Sequence, residues 1–216
     1  MIRTHWTISA LKQWERCPRQ YEWTYVHPVP KEGPEHPALA RGTAIHADLE
    51  EYLTGRQESL KHAEIGPIWH ALAQDLKARE PRIEEQWELD DQWTGGTPLW
   101  LRMRIDAWTV DDEDKATVID FKTGGMYPEN MEQVEVYAVA AFGLFDWLQE
   151  VTGELWYIDQ GEIDAKTFKR DDAGKLARKW ENRAGLLLAD REFRASPGRH
   201  CRWCAFKGEC PDADRG

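Results

Sequence analysis

The cysteines constrain this chain most. Cys17 stands alone, and Cys201, Cys204 and Cys210 follow near the other end. Three thiols spaced by two and five residues suit metal ligation better than disulfides, because the turn between Cys201 and Cys204 can aim both sulfurs at one centre. If all four serve one centre, residue 17 must lie against residues 201–210, and the fold must clamp its two ends together. Four thiolates match structural zinc and an iron–sulfur cluster equally in number. One Cys-x-x-Cys pair with two singletons favours the cluster, since zinc more usually pairs two such knuckles. Arg199, His200, Arg202, Lys207 and Glu209 make the tail polar, which argues against four inert core thiols.

The 216 residues, 41% apolar and 31% charged, describe one folded domain of ordinary size. No apolar run approaches the ~18 residues of a membrane span, and the N-terminus lacks a signal peptide's apolar stretch. The expectation is a cytoplasmic protein of bacterial or phage origin, with no membrane partner. The net charge of −11 is unevenly spread. From Ala165 to Cys210 there are 12 Lys or Arg against 6 Asp or Glu; from Pro81 to Asp164 the count is 5 against 20. Phosphate attraction follows the local field, so the basic C-terminal third is a candidate surface for nucleic acid, with a solvated basic helix as the plainer reading. Of the 12 Trp, most must be core or half-buried anchors, and one or two could stack on unpaired bases.

The periodicity divides the chain into three parts: residues 1–80 helical, 81–164 a sheet with a helix, and 165–216 a basic helix with the cysteine tail. Ser9 is placed to cap a first helix carrying Ala10, Leu11, Trp14 and Cys17, with a break at Pro18. A Pro- and Gly-rich loop covers His27 to Pro37. Leu39–Leu53 reads as a helix with Ile45, Leu49 and Leu53 on one face and His46 and Glu50 beside it, and Pro67–Arg79 as another. Ile83–Trp93, Leu99–Val110 and Ala116–Lys122 read as an antiparallel meander, with Leu101, Met103, Ile105 and Ala107 on one side and a charged turn at Asp111–Lys115. Then come a long helix from Asn130 to Glu150, a strand at Leu155–Ile158 and a basic helix from Ala173 to Ala189. This order predicts an α/β fold, a sheet flanked by helices.

The chemistry concentrates at two strand ends. Asp106 and Asp120 can meet across adjacent strands, and alternation turns Lys122 the same way as Asp120. Two carboxylates suit a hard divalent cation such as Mg²⁺ or Mn²⁺, and a lysine beside them can orient a water for attack on phosphate. A lone Asp-x-Lys on a surface is the plainer reading.

The segment from Arg104 to Gly125, RIDAWTVDDEDKATVIDFKTGG, resembles motifs II and III of the PD-(D/E)XK nucleases in their RecB-like form. Upstream, Arg41-Gly42-Thr43-Ala44-Ile45-His46 is similar to the helix whose histidine ligates metal in that group. Downstream, Gln133-Val134-Glu135-Val136-Tyr137 resembles its Gln-x-x-x-Tyr motif. The four cysteines look like the [4Fe–4S] ligands of the AddB nuclease domain and of the CRISPR-associated exonucleases of the fourth Cas family. The resemblance implies a restriction-endonuclease-like mixed sheet flanked by helices, its N- and C-termini joined by the cluster. It implies Mg²⁺ or Mn²⁺ held by His46, Asp106, Asp120 and the Phe121 carbonyl. Lys122 would act on the water, and Gln133 and Tyr137 on the substrate or the site's support. Met103 stands where the family often has Gly, and Ile105 where its name-giving Pro would be. Some members use a further glutamate, for which Glu84, Glu85 or Glu88 could serve, with Glu85 sharing the face of Ile83 and Trp87.

The function so implied is metal-dependent hydrolysis of DNA, as an exonuclease on single-stranded ends, in recombination, repair, phage DNA processing or CRISPR adaptation. A helicase or recombination partner would supply any unwinding. The rivals are a non-catalytic iron–sulfur DNA-binding subunit, against which the intact Asp106, Asp120 and Lys122 speak, and a zinc-stabilised structural protein.

Overall fold

The computed structural model describes residues 4–30 and 37–213. Its centre is a five-stranded mixed sheet in the order β1 (Arg82–Leu89), β2 (Leu101–Asp112), β3 (Lys115–Lys122), β4 (Glu150–Tyr157) and β5 (Glu162–Lys169). All neighbours are antiparallel except β3 and β4, which run parallel. Parallel neighbours need a crossover, and α5 (Met131–Leu144) supplies it. One face of the sheet packs against α5, α1 (Ile8–Arg16) and α6 (Arg170–Ala189), with Leu11, Tyr137, Phe142 and Trp180 in a large buried cluster. A smaller cluster on the other face joins Ile45, Leu49 and Leu53 of α3 (Pro37–Leu53) and Trp69 of α4 (Pro67–Ala78) to Ile119, Phe121 and Trp156. Helices on both faces of a mixed sheet are the α/β architecture expected, with a restriction-endonuclease-like layout.

Thr7, not Ser9, caps α1: its hydroxyl accepts from the Ala10 amide at 3.2 Å. Pro18 opens the short helix α2 (Pro18–Tyr21), and a π-helical turn follows over Glu22–Val26. Of the loop expected over His27–Pro37, residues 31–36 lie outside the described residues, and α3 already starts at Pro37. β1 stops at Leu89 rather than Trp93 because the Asp90 carboxylate accepts from the Gln92 and Thr94 amides and folds the chain into a turn. The charged turn is tighter than expected: β2 runs to Asp112 and β3 begins at Lys115.

The long helix ends at Leu144, not Glu150. Phe145 is extended, and Arg170 donates to the Phe145 and Leu148 carbonyls beyond the helix end. Because α5 is buried nearly all round, its apolar run merges in sequence with the strand that follows. That strand is β4, longer than the expected Leu155–Ile158. β5 was not expected at all. Phe168 is its one buried residue, so this edge strand lacks the alternation that reveals a half-buried one. The basic helix starts at Arg170, three residues early. No described helix is long and apolar enough to cross a membrane.

The two ends of the described chain meet. Trp23 packs edge-on against Phe206 at 5.7 Å, Tyr21 lies 6.0 Å from Phe193, and Arg19 donates to the Phe193 carbonyl. Much of the basic excess of α6 is turned inward. Arg183 binds Glu15 and Glu132, and Lys179 binds the buried Glu135. These cations hold α6 on α1 and α5, which narrows the surface left for phosphates.

Candidate active site

The site forms where β2 and β3 part. Their regular pairing begins at Ala107 and Ile119; one residue earlier the Asp106 carboxylate accepts from the Phe121 amide at 2.8 Å. Asp106 thus fills the fork with a side chain instead of a backbone ladder. The face assignments change there as well. Leu101, Met103 and Ile105 enter the large cluster as expected, but Ala107 enters the smaller one on the opposite face.

Glu84 shows a matching irregularity on β1. Its φ of 55° places a non-glycine residue in the left-handed region inside a strand, a conformation that costs energy and concentrates at functional sites. It breaks the alternation: Ile83 packs on the smaller cluster, whereas Trp87 belongs to the larger. Glu85 therefore does not share a face with both. Its carboxylate accepts from the Trp108 indole, and Glu88 pairs with Arg102. Glu84 is the glutamate turned to the site.

Among the described residues, His46, Glu84 and Asp106 form a group that could hold a metal ion, one ligand atom from each lying within 4.8 Å of the others. His46 Nδ1 is 3.5 Å from Asp106 Oδ2. Burial pushes the Asp106 carboxyl well above its ordinary range, reinforced by the nearby Asp120 charge, and burial also raises Glu84. The His46 ring is lowered by burial, opposed in part by Asp120 and by a hydrogen bond to the Phe121 backbone. The Phe121 backbone lies beside the same group, its amide donating to Asp106. A half-buried set of carboxylates that repel one another, beside an imidazole whose burial disfavours its charged form, is a donor set that fits a divalent cation. It opens on a cleft of about 740 Å³ lined by Gly42, Glu50 and Thr123.

Asp120 lies outside this compact group and faces α5. Its Oδ1 accepts from Gln133 Nε2 at 2.6 Å and from the Tyr137 hydroxyl at 3.3 Å, and its Oδ2 is 2.6 Å from Lys122 Nζ. Lys122 also donates to Gln133 Oε1 at 2.7 Å. Gln133 and Tyr137, one turn apart on α5, are hydrogen-bonded to each other. The structure thus brings Asp120, Lys122, Gln133 and Tyr137 into one network. It couples that network electrostatically to His46 and Asp106.

A second device fixes α3 against the strand ends. Asp159, just past β4, accepts from Arg41 Nη2 at 2.6 Å and from the Gly124 amide at 2.9 Å. Gly124 has φ 117°, open to glycine alone without strain. Gly42 passes so close that an added Cβ would sit 2.7 Å from the Thr123 hydroxyl. Neither Asp159 nor Arg104, whose guanidinium binds Glu84, was expected at the site. An Arg two residues before Asp106 on the same strand was the available signal for Arg104; nothing local marks Asp159.

Cys17, Cys201, Cys204 and Cys210 are free thiols lining one small cavity. No three of their sulfurs lie within 4.8 Å of one another, so they do not form a compact ligand set of the kind His46, Glu84 and Asp106 make.

The family profile of the PD-(D/E)XK nuclease superfamily matches residues 5–92 and 55–211. The crystal structure of SSO0001 superposes with a TM-score of 0.51 at 19% identity, over 98% of this chain and 87% of that one; at that identity the likeness speaks for the fold. A search of curated proteins gave no match.

Proposed function

Since this chain belongs to the PD-(D/E)XK nuclease superfamily, which implies metal-dependent nuclease chemistry, we propose that it is a deoxyribonuclease that degrades single-stranded DNA from its ends with Mg²⁺ or Mn²⁺. The observation that carries this reading is the His46, Glu84 and Asp106 group beside the Asp120–Lys122 network, at the fork of β2 and β3. His46, Glu84, Asp106 and the Phe121 carbonyl would hold the ion, with Asp120 at its edge. Bound there, a divalent ion supplies Lewis acidity and makes water a stronger acid.

The protein's own groups do the positioning. Gln133 and Tyr137 fix the Asp120 carboxylate, and Asp120 and Gln133 together hold the Lys122 ammonium. From there Lys122 can orient the attacking water and stabilise charge developing on the phosphate. The water oxygen bonds to phosphorus, the phosphorus–oxygen ester bond breaks, and the departing oxygen leaves as a hydroxyl.

Residues 1–216 are read as a single nuclease unit, with a helicase or recombination partner as a candidate source of duplex unwinding. Linear and circular single strands compared in Mg²⁺ test the end preference. Linear DNA should shorten while circles persist, and cutting both at equal rates would exclude the exonuclease reading.

We further read the cysteine cavity as the seat of a [4Fe–4S] cluster. In support, all four thiols surround one cavity where the chain's ends meet. Protein purified without oxygen should be brown and contain iron; a colourless protein carrying zinc would refute the cluster.

A further inference from the structure

Between Pro81 and Asp164 only five basic residues stand among twenty acidic ones. Arg82 lies over the Trp108 ring, Lys115 pairs with Glu150, and Lys122 is held by Asp120 and Gln133. The remaining two, Arg102 and Arg104, project from β2 into a groove of about 320 Å³ bordered by Ser9, Gln133 and Tyr137. Arg104 also lines the cleft that holds His46, Glu84 and Asp106, and no other described residue lines both.

The side chain of Arg104 is 64% exposed, yet its guanidinium is bound to Glu84. Glu84 is one of the three residues grouped for a divalent ion. A guanidinium on that carboxylate and a divalent ion at the same oxygens compete for one negative charge. The Arg104 backbone, in contrast, is fixed, since its carbonyl accepts from the Tyr137 hydroxyl at 3.1 Å. The exposed side chain is thus carried on a fixed backbone between two clefts.

We propose that Arg104 is a phosphate-binding residue held in reserve by Glu84. When a divalent ion takes the Glu84 carboxylate, the guanidinium is released to grip a backbone phosphate of the DNA strand between the metal cleft and the groove. The planar fork of arginine matches phosphate oxygens in pairs, and the surrounding acidic field leaves few other cations to do so. This rests on the nuclease reading, which cleavage by the unaltered protein in Mg²⁺ tests separately.

The test needs no catalysis. Binding of a labelled single-stranded oligonucleotide is measured in EDTA over a range of salt, for the unaltered protein, Glu84→Gln, Arg104→Ala and the double variant. Glu84→Gln should bind about tenfold more tightly, the order of one charge-assisted phosphate contact. The slope of log affinity against log salt should steepen by about 0.7, one phosphate on a single strand. Arg104→Ala alone should bind no more tightly than the unaltered protein, because it removes a guanidinium that is already occupied and leaves the Glu84 charge uncovered. The double variant should lose the gain in both affinity and slope, and Arg104→Lys with Glu84→Gln should keep part of it. A double variant that binds as tightly as Glu84→Gln would show that removing a negative charge suffices, and would overturn the proposal. So would Glu84→Gln binding no better than the unaltered protein.

Discussion

Asp120→Asn is expected to reduce DNA cleavage at least about a thousand-fold, on the order of 4 kcal/mol of lost transition-state stabilisation. Aspartate and asparagine are nearly the same size, so the loss arises from charge and donor pattern. Asp120 presents Oδ1 to Gln133 Nε2 and Oδ2 to the Lys122 ammonium. An amide has one acceptor and one donor end. Turned either way, it sets an N–H against the Gln133 amide nitrogen or against the Lys122 ammonium. Lys122 also loses its counter-charge, and with it the fixed position from which it acts on water. Thermal unfolding of the same variant separates the effects. The network is one part of a large core, so the variant should still unfold cooperatively while cleavage falls to background. Cleavage within tenfold of the unaltered protein would show that Asp120 is not part of the machinery.

The second large effect concerns the fold. Gly143 lies near the end of α5, where an added Cβ would stand 1.9 Å from the Trp93 carbonyl oxygen. That neighbour is backbone, in a turn whose Trp93 already has φ 64°. The Trp93 indole is also tied to Glu181 on α6 at 3.0 Å and meets Trp100 edge-on at 5.3 Å. Making room for a methyl group therefore moves the turn and strains its contact with α6. Alanine would gain about 1 kcal/mol of helix propensity, against an overpacking cost of about 3 kcal/mol or more. Gly143→Ala should lose about 2 kcal/mol net and lower Tm by roughly 4–8 °C. An unchanged or raised Tm would mean that the turn yields freely and that α5 and β1 are less tightly joined than the distances indicate.

The site residues were legible to different degrees for physical reasons. Asp120 and Lys122 could be paired because a strand alternates strictly, and Gln133 and Tyr137 because a helix brings residues four apart together. His46 could be placed beside the buried stripe of α3 by the same rule. Glu84 could not be separated from Glu85 and Glu88, because its selection depends on a left-handed backbone that reverses the alternation. Ala107, expected on the side of Leu101, Met103 and Ile105, packs on the opposite face. Asp159 was out of reach: its partners Arg41 and Gly124 are distant in sequence and meet only once β4 lies parallel to β3. β5 was invisible because an edge strand with one buried residue carries almost no hydrophobic pattern. The described ends of the chain meet, as a centre shared by the four cysteines would require, but spacing alone cannot fix how far apart four sulfurs come to rest.

What matters most is whether the carboxylates and imidazole at the β2–β3 fork make a divalent ion work on DNA. A time course with end-labelled single-stranded DNA addresses this directly, run in Mg²⁺, in Mn²⁺ and after EDTA. The arrangement of His46, Glu84, Asp106 and Lys122 predicts product in either ion, none in EDTA, and recovery when the ion is restored. Undiminished cleavage in EDTA, or intact DNA under every ion, would contradict it.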